Sequence, residues 1–206
     1  MLKQNLDNQS IPKMNKKRRF MERYIIHLKN NGYVSKDART VDERARKLAI
    51  GINCSIQLVR IAQKFVELDL FVEEKNRDEL IKKLEPIGTL DNIKHVTEEE
   101  IIKEDGIRNG IFYFNNERFW ESHEAFEGVW KQCKGQEKQT VQGIILLAVA
   151  FGHAQRNENS TGIGMLKRVL EKIEDSTQKY HSIDIERIRK KSLQMQKENK
   201  LSLFQI

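Results

Sequence analysis

Two cysteines and two prolines in 206 residues leave little to staple or interrupt this chain. Cys54 and Cys133 lie far apart and form no C-x-x-C pair. That excludes a thiolate zinc site and argues against a disulfide framework. Long apolar runs are missing as well. The longest, Val141 to Gly152, is too short to span a bilayer. The opening MLKQNLDNQSIPKMNKKRR holds no apolar core segment, so it does not read as a signal peptide. These absences predict a cytoplasmic protein without membrane contact. The scarcity of proline, with only eleven glycines, favours helix-rich structure and few long loops.

Charge is what the chain has in quantity. Charged residues make up 33% and hydrophobic ones 38%, a polar but core-forming composition. The net +7 is uneven. Residues 1–30 hold eight Lys/Arg against two acids, and residues 167–206 hold ten against six. The body between them is therefore slightly acidic. Basic ends suit contact with nucleic acid or an acidic protein. Simple solvation of the tails is the competing reading. No aromatic residues alternate with the basic ones, as a single-strand platform would require.

The periodicity changes along the chain. Residues 1–18 read as a mobile basic arm. Residues 19–96 carry period-2 segments at Arg19 to Asn30, Ile56 to Ile61, Val66 to Val72 and Leu90 to Val96. Helical segments separate them, and each opens on a capping-box pattern: Thr40 with Glu43, and Asn76 with Glu79. The order β-α-β-β-α-β predicts a ferredoxin-like unit. That fold hosts many unrelated activities and decides none. From Thr97 to 206 the period is helical. It predicts an all-α bundle of about five helices with short antiparallel connections. The third, Glu137 to Gln155, is apolar on nearly all sides and should be central. The last is basic and should be peripheral. The chain as a whole is expected to be α+β in two parts.

One stretch of the second part concentrates chemistry: FWESHEAFEGVW, residues 119–130. On a helical projection His123, Glu127, Trp120, Trp130, Phe119 and Phe126 share one face roughly 120° wide. Glu117, Glu121 and Glu124 fall toward what should be the solvent side. The HExxH zincin pattern fails, since Glu127 stands where the second histidine belongs. The di-iron Glu-x-x-His pattern is missing at both His123 and His153. His123 and Glu127, one turn apart and expected to face inward, could chelate a metal or form a carboxylate-oriented histidine. Gln142 is the preferred further partner by hairpin register, with His153 ranked after it. Gly143 would let the paired helices approach closely. Cys133 could reach the edge of the site. His27, His95 and His181 read as surface or packing residues.

These residues carry a resemblance. His123, Glu127 and Trp130 fit the H-x-x-x-E-x-x-W/Y motif of the family called domain of unknown function 309. Gln142-Gly143 opening an apolar helix, His153 near its end, then Asn159 and Gly162, resemble the same family, with Ile163 where a small residue is usual. The resemblance spans roughly residues 107–175. It implies an all-α domain with metal binding at the motif and no settled activity. Three functional readings remain at this point. The domain binds one divalent metal ion or a small ligand through His123, Glu127, Gln142 and His153, packed by Trp120, Trp130 and Gly143. Or the His-Glu pair works in acid/base catalysis. Or the His-Glu-Trp cluster is structural, and the chain is a binding or adaptor module acting through its basic ends.

Overall fold

A computed structural model describes residues 21–97 and 100–206. The basic arm expected over residues 1–18 lies outside them. The first half runs β1 (Glu22–Lys29), α1 (Ala38–Leu48), β2 (Cys54–Ile61), β3 (Phe65–Val72), α2 (Glu74–Leu84) and β4 (Leu90–His95). The strands form one antiparallel sheet in the order β2-β3-β1-β4, the ferredoxin-like arrangement. Alternation sets its core. Tyr24, Ile26 and Leu28 of β1, with Val66, Leu68, Leu70 and Val72 of β3, face one side. Val41 and Ala45 of α1, and Leu80 and Leu84 of α2, close over them.

The helix starts differ from the capping-box expectation. A 3-10 turn at Ser35–Asp37 leads into α1, and the Asp37 carboxylate accepts from the Val34 N–H at 2.9 Å. Thr40 therefore lies inside the helix. In α2 the N-cap is Glu73, and Asn76 is likewise internal. The first helix of the second half starts at Lys103 rather than near Thr97. Asp37, three residues before Thr40, supplies the local bond at α1, whereas the Glu73 and Ile102 N-caps of the other two helices carry no side-chain cap bond, so the S/T/N-x-x-E pattern alone misplaces the boundary.

The second half comprises α3 (Lys103–Asn115), α4 (Phe119–Gln132), α5 (Gly135–Ala154), α6 (Asn159–Ile173) and α7 (Ile185–Glu198). A small hairpin, β5 (Lys179–Tyr180) with β6 (Ile183–Asp184), precedes α7. Nothing in the periodicity announced it. Helix α5 is central: Val141, Ile144, Leu147, Ala150 and Phe151 are all buried in a core shared with Phe114, Phe126, Leu166 and Ile173. Gly143 does permit a close approach, but toward α6 rather than α4, since a Cβ there would collide with Ile173. Helix α7 lies over α6, where Arg189 donates to the Ile173 carbonyl at 2.7 Å and satisfies the helix end. Among the described residues no helix is long and apolar enough to cross a membrane.

The halves meet across the second face of the sheet. The Ile61 N–H of β2 donates to the Gln155 carbonyl at 3.0 Å. The Gln155 side chain donates to the Glu117 carbonyl at 2.7 Å, and the Glu117 carboxylate accepts from the Gln63 N–H at 3.0 Å. Arg23 of β1 lies 4.8 Å from the Trp120 ring centroid of α4. This docking explains why β3 is buried on both faces, with Glu67 and Asp69 as inaccessible as its valines and leucines.

Candidate functional site

Helix α4 is oriented by its small and aromatic residues together. Phe119, Phe126 and Val129 enter the bundle core. Gly110 of α3 sits so close to the Phe126 ring that a Cβ would come within 2.6 Å of it. Ser122, fully buried, donates to the Gly110 carbonyl at 2.9 Å. The buried arc of the helix therefore runs through Phe119, Ser122, Ala125, Phe126 and Val129 and ends at Glu121. It is rotated by rather more than a quarter turn from the arc that the aromatic count suggested. The two tryptophans misled the projection: both are only half-buried.

His123 and Glu127 consequently do not face inward. Their side chains are 29% and 41% exposed, and Glu124 beside them is 40% exposed. His123 Nδ1 lies 3.1 Å from Glu124 Oε1 and 3.9 Å from Glu127 Oε2. One donor atom from each residue falls within 4.8 Å of the others. Burial alone would push the Glu124 carboxyl up. The hydrogen bond and charge of His123, joined by the charges of Arg23 and Lys131, outweigh that and hold it below the usual carboxylate range.

The other residues singled out from the sequence are placed as follows. Gln142 is half-buried on α5 and makes no hydrogen bond to His123 or Glu127 among the described residues. His153 is taken by another carboxylate: its Nδ1 lies 2.6 Å from Glu158 Oε2, and Arg156 holds the remaining oxygen at 2.9 Å. Trp120 stacks under Arg23. Trp130 packs against the bundle core, its Nε1 buried without a partner among the described residues, and Lys138 Nζ lies 3.8 Å from its ring centroid. Cys133 is buried in the bundle core, where burial and then the charge of Glu137 push its thiol up.

A second histidine–carboxylate cluster went unread in the sequence. His27 on β1 and Glu67 on β3 are directly opposed, with Nε2 and Oε2 3.2 Å apart. The same Nε2 lies 3.7 Å from Glu121 Oε2 of α4. All three side chains are at most 2% exposed. Arg60, opposite Glu67 on β2, holds the second Glu67 oxygen. Arg118 grips both oxygens of Glu121 and stacks on Tyr113 at 4.7 Å. Burial alone would raise the Glu67 carboxyl. The Arg60 charge and the His27 contact overcome it, so Glu67 titrates below the usual range. Phe65 closes the cluster, stacked on the His27 ring at 4.2 Å between centroids.

Both clusters have metal-like spacing, since bonds of about 2.0–2.1 Å place tetrahedral ligands about 3.3 Å apart. Their charge separates them. Each carboxylate of the buried cluster already has a bonded arginine, so a divalent ion would bring unbalanced charge into a sealed site. The half-open cluster has two carboxylates and no arginine bonded to them among the described residues.

Residues 107–166 match the family described as Domain of unknown function (DUF309). The match takes in α4, α5 and the His123 cluster and leaves the α+β half outside it. No curated protein matches the chain.

Proposed function

We propose that the helical half binds one divalent metal ion through His123 Nδ1 and the carboxylates of Glu124 and Glu127. The observation that carries this reading is the half-open, net-acidic grouping of three donors within 4.8 Å on one helix. Three protein ligands are what zinc requires at least, and the imidazole–carboxylate mixture also suits iron or manganese. The 3.1 and 3.9 Å separations bracket the expected ligand spacing, and exposed side chains can close the difference by rotamer adjustment. Gln142 and His153 are not needed for this set. A bound ion would keep coordination positions open to solvent, where it could polarise a ligand or activate water. Glu124 would then exchange its hydrogen bond with His123 for a shared ion.

Calorimetric titration of the metal-stripped protein with zinc or manganese tests the reading. The expected result is one site per chain, lost in His123→Ala and in Glu127→Gln while circular dichroism stays unchanged. Absence of binding in the unmodified protein, or equal binding in both variants, would rule the site out.

A further inference from the structure

The basic final helix has no part in the His123 cluster, yet it borders the larger of the two open grooves described in the molecule. This groove, about 490 Å³, lies between the β5–β6 hairpin and α7. Its walls carry Lys179 from the hairpin and Arg187, Lys190 and Lys191 from α7. Apolar burial arranges these cations. Ile185, Ile188, Ser192 and Met195 turn one stripe of α7 into the bundle, so Arg187, Lys190, Gln194 and Lys197 fall on the opposite, exposed ridge, with half-buried Lys191 at the margin of the stripe. The ridge is about 15 Å long at ~1.5 Å per residue.

Three acids stand nearby, and one of them, Glu198, is exposed at the end of the ridge with only the Gln194 amide as its partner among the described residues, at 2.8 Å. Asp184 caps α7 by accepting from the Arg187 N–H at 2.8 Å. Glu186 is held by Arg189, with Lys190 Nζ at 3.8 Å. Lys179, Arg187, Lys191 and Lys197 have no carboxylate partner among the described residues.

We propose that this groove docks the phosphate backbone of double-stranded nucleic acid. A duplex presents a phosphate about every 3.4 Å of axis on each strand, so the ridge runs alongside roughly four of them. Gln178 adds an amide donor of the kind that contacts phosphate and sugar oxygens, whereas the Gln194 amide donates to Glu198 at 2.8 Å. Among the described residues no aromatic side chain lines the groove, which disfavours single strands that need base stacking. An anionic membrane is disfavoured too, because Ile185, Ile188 and Met195 of α7 are spent on the bundle core, and Leu193 alone is too little apolar surface for an anchor. The proposal is independent of the metal site.

Fluorescence anisotropy of a labelled duplex, followed over rising salt, tests it. Binding is expected at low salt, with a log–log slope of about −3 to −4 for four neutralised phosphates. Lys190→Glu with Lys191→Glu should weaken binding at least about tenfold and flatten the slope by about two. Lys36→Glu with Lys47→Glu makes the same charge change on exposed positions far away in sequence and should leave affinity within about twofold. His123→Ala should leave it unchanged. Circular dichroism checks each fold. No binding at low salt, equal losses from both charge reversals, or displacement by polyglutamate or anionic vesicles as effective as by unlabelled duplex would overturn the proposal.

Discussion

Helix α4 serves two histidine–carboxylate clusters made from the same residue types. Glu121 completes one and Glu124, three residues on, belongs to the other. The cluster of His27, Glu67 and Glu121 is sealed between the halves and neutralised by Arg60 and Arg118. The cluster of His123, Glu124 and Glu127 is half-open, with no bonded arginine among the described residues. Ligand spacing does not distinguish them, because both bracket the same distance. Counter-charge and access do. A carboxylate that already owns a guanidinium has a structural task, whereas one facing water beside an imidazole is free to take an ion.

Substitutions should break this symmetry most visibly on the sealed side. Glu67→Ala strands the guanidinium of Arg60, which is only 11% exposed, and should cost roughly 3–5 kcal/mol in urea unfolding. A loss under about 1 kcal/mol would mean that water reaches the cluster and the contrast is false. Next comes the metal effect. Zinc or manganese at a hundred times its dissociation constant should stabilise the protein by about 2.7 kcal/mol. That gain should vanish in His123→Ala, as read from thermal melts. If it persists, the ion is elsewhere.

The acid limb gives a smaller difference. Glu67 is depressed in the folded state, so its stabilisation is present above the unfolded carboxyl value of about 4.3. It is lost as pH falls through the lowered folded value. Urea midpoints taken from neutral pH downward should therefore decline less steeply in Glu67→Gln than in the unmodified protein. Glu124 is depressed as well but is half exposed, so Glu124→Gln should alter the same curve much less. Smallest of all is the metal-free stability of His123→Ala and Glu127→Gln, expected within about 0.5 kcal/mol of the parent. A larger loss would make the open cluster a packing element.

The sequence made the fold readable because period 2 gives way to period 3.6 near residue 97. Val66, Leu68, Leu70 and Val72 announce one buried face of β3 without ambiguity. They do not say what covers the other face. Alternation alone therefore leaves the surroundings of Glu67 and Asp69 open, and the helical half buries both. The same limit misplaced Glu121. A helical projection fixes which residues of α4 share a side, but its rotation depends on neighbours: glycines 106 and 110 on α3, and the sheet. One usable signal was overlooked. The ferredoxin order makes β3 the neighbour of both β1 and β2. His27, Glu67 and Arg60, each flanked on both sides by apolar residues, could have been matched across three strands.

The bond from Ile61 to the Gln155 carbonyl has a consequence for solubility. A four-stranded sheet has two exposed margins where a foreign strand can add. On β4 that margin is blunted by Asp91, Asn92 and Lys94, which keep the strand polar. On β2 the irregularity near Gln57 bends the ladder, and Gln155 occupies the final amide. The helical half thus acts as a stopper against chain-to-chain strand addition. An α+β half expressed alone would lose that stopper and uncover its charged second face at once.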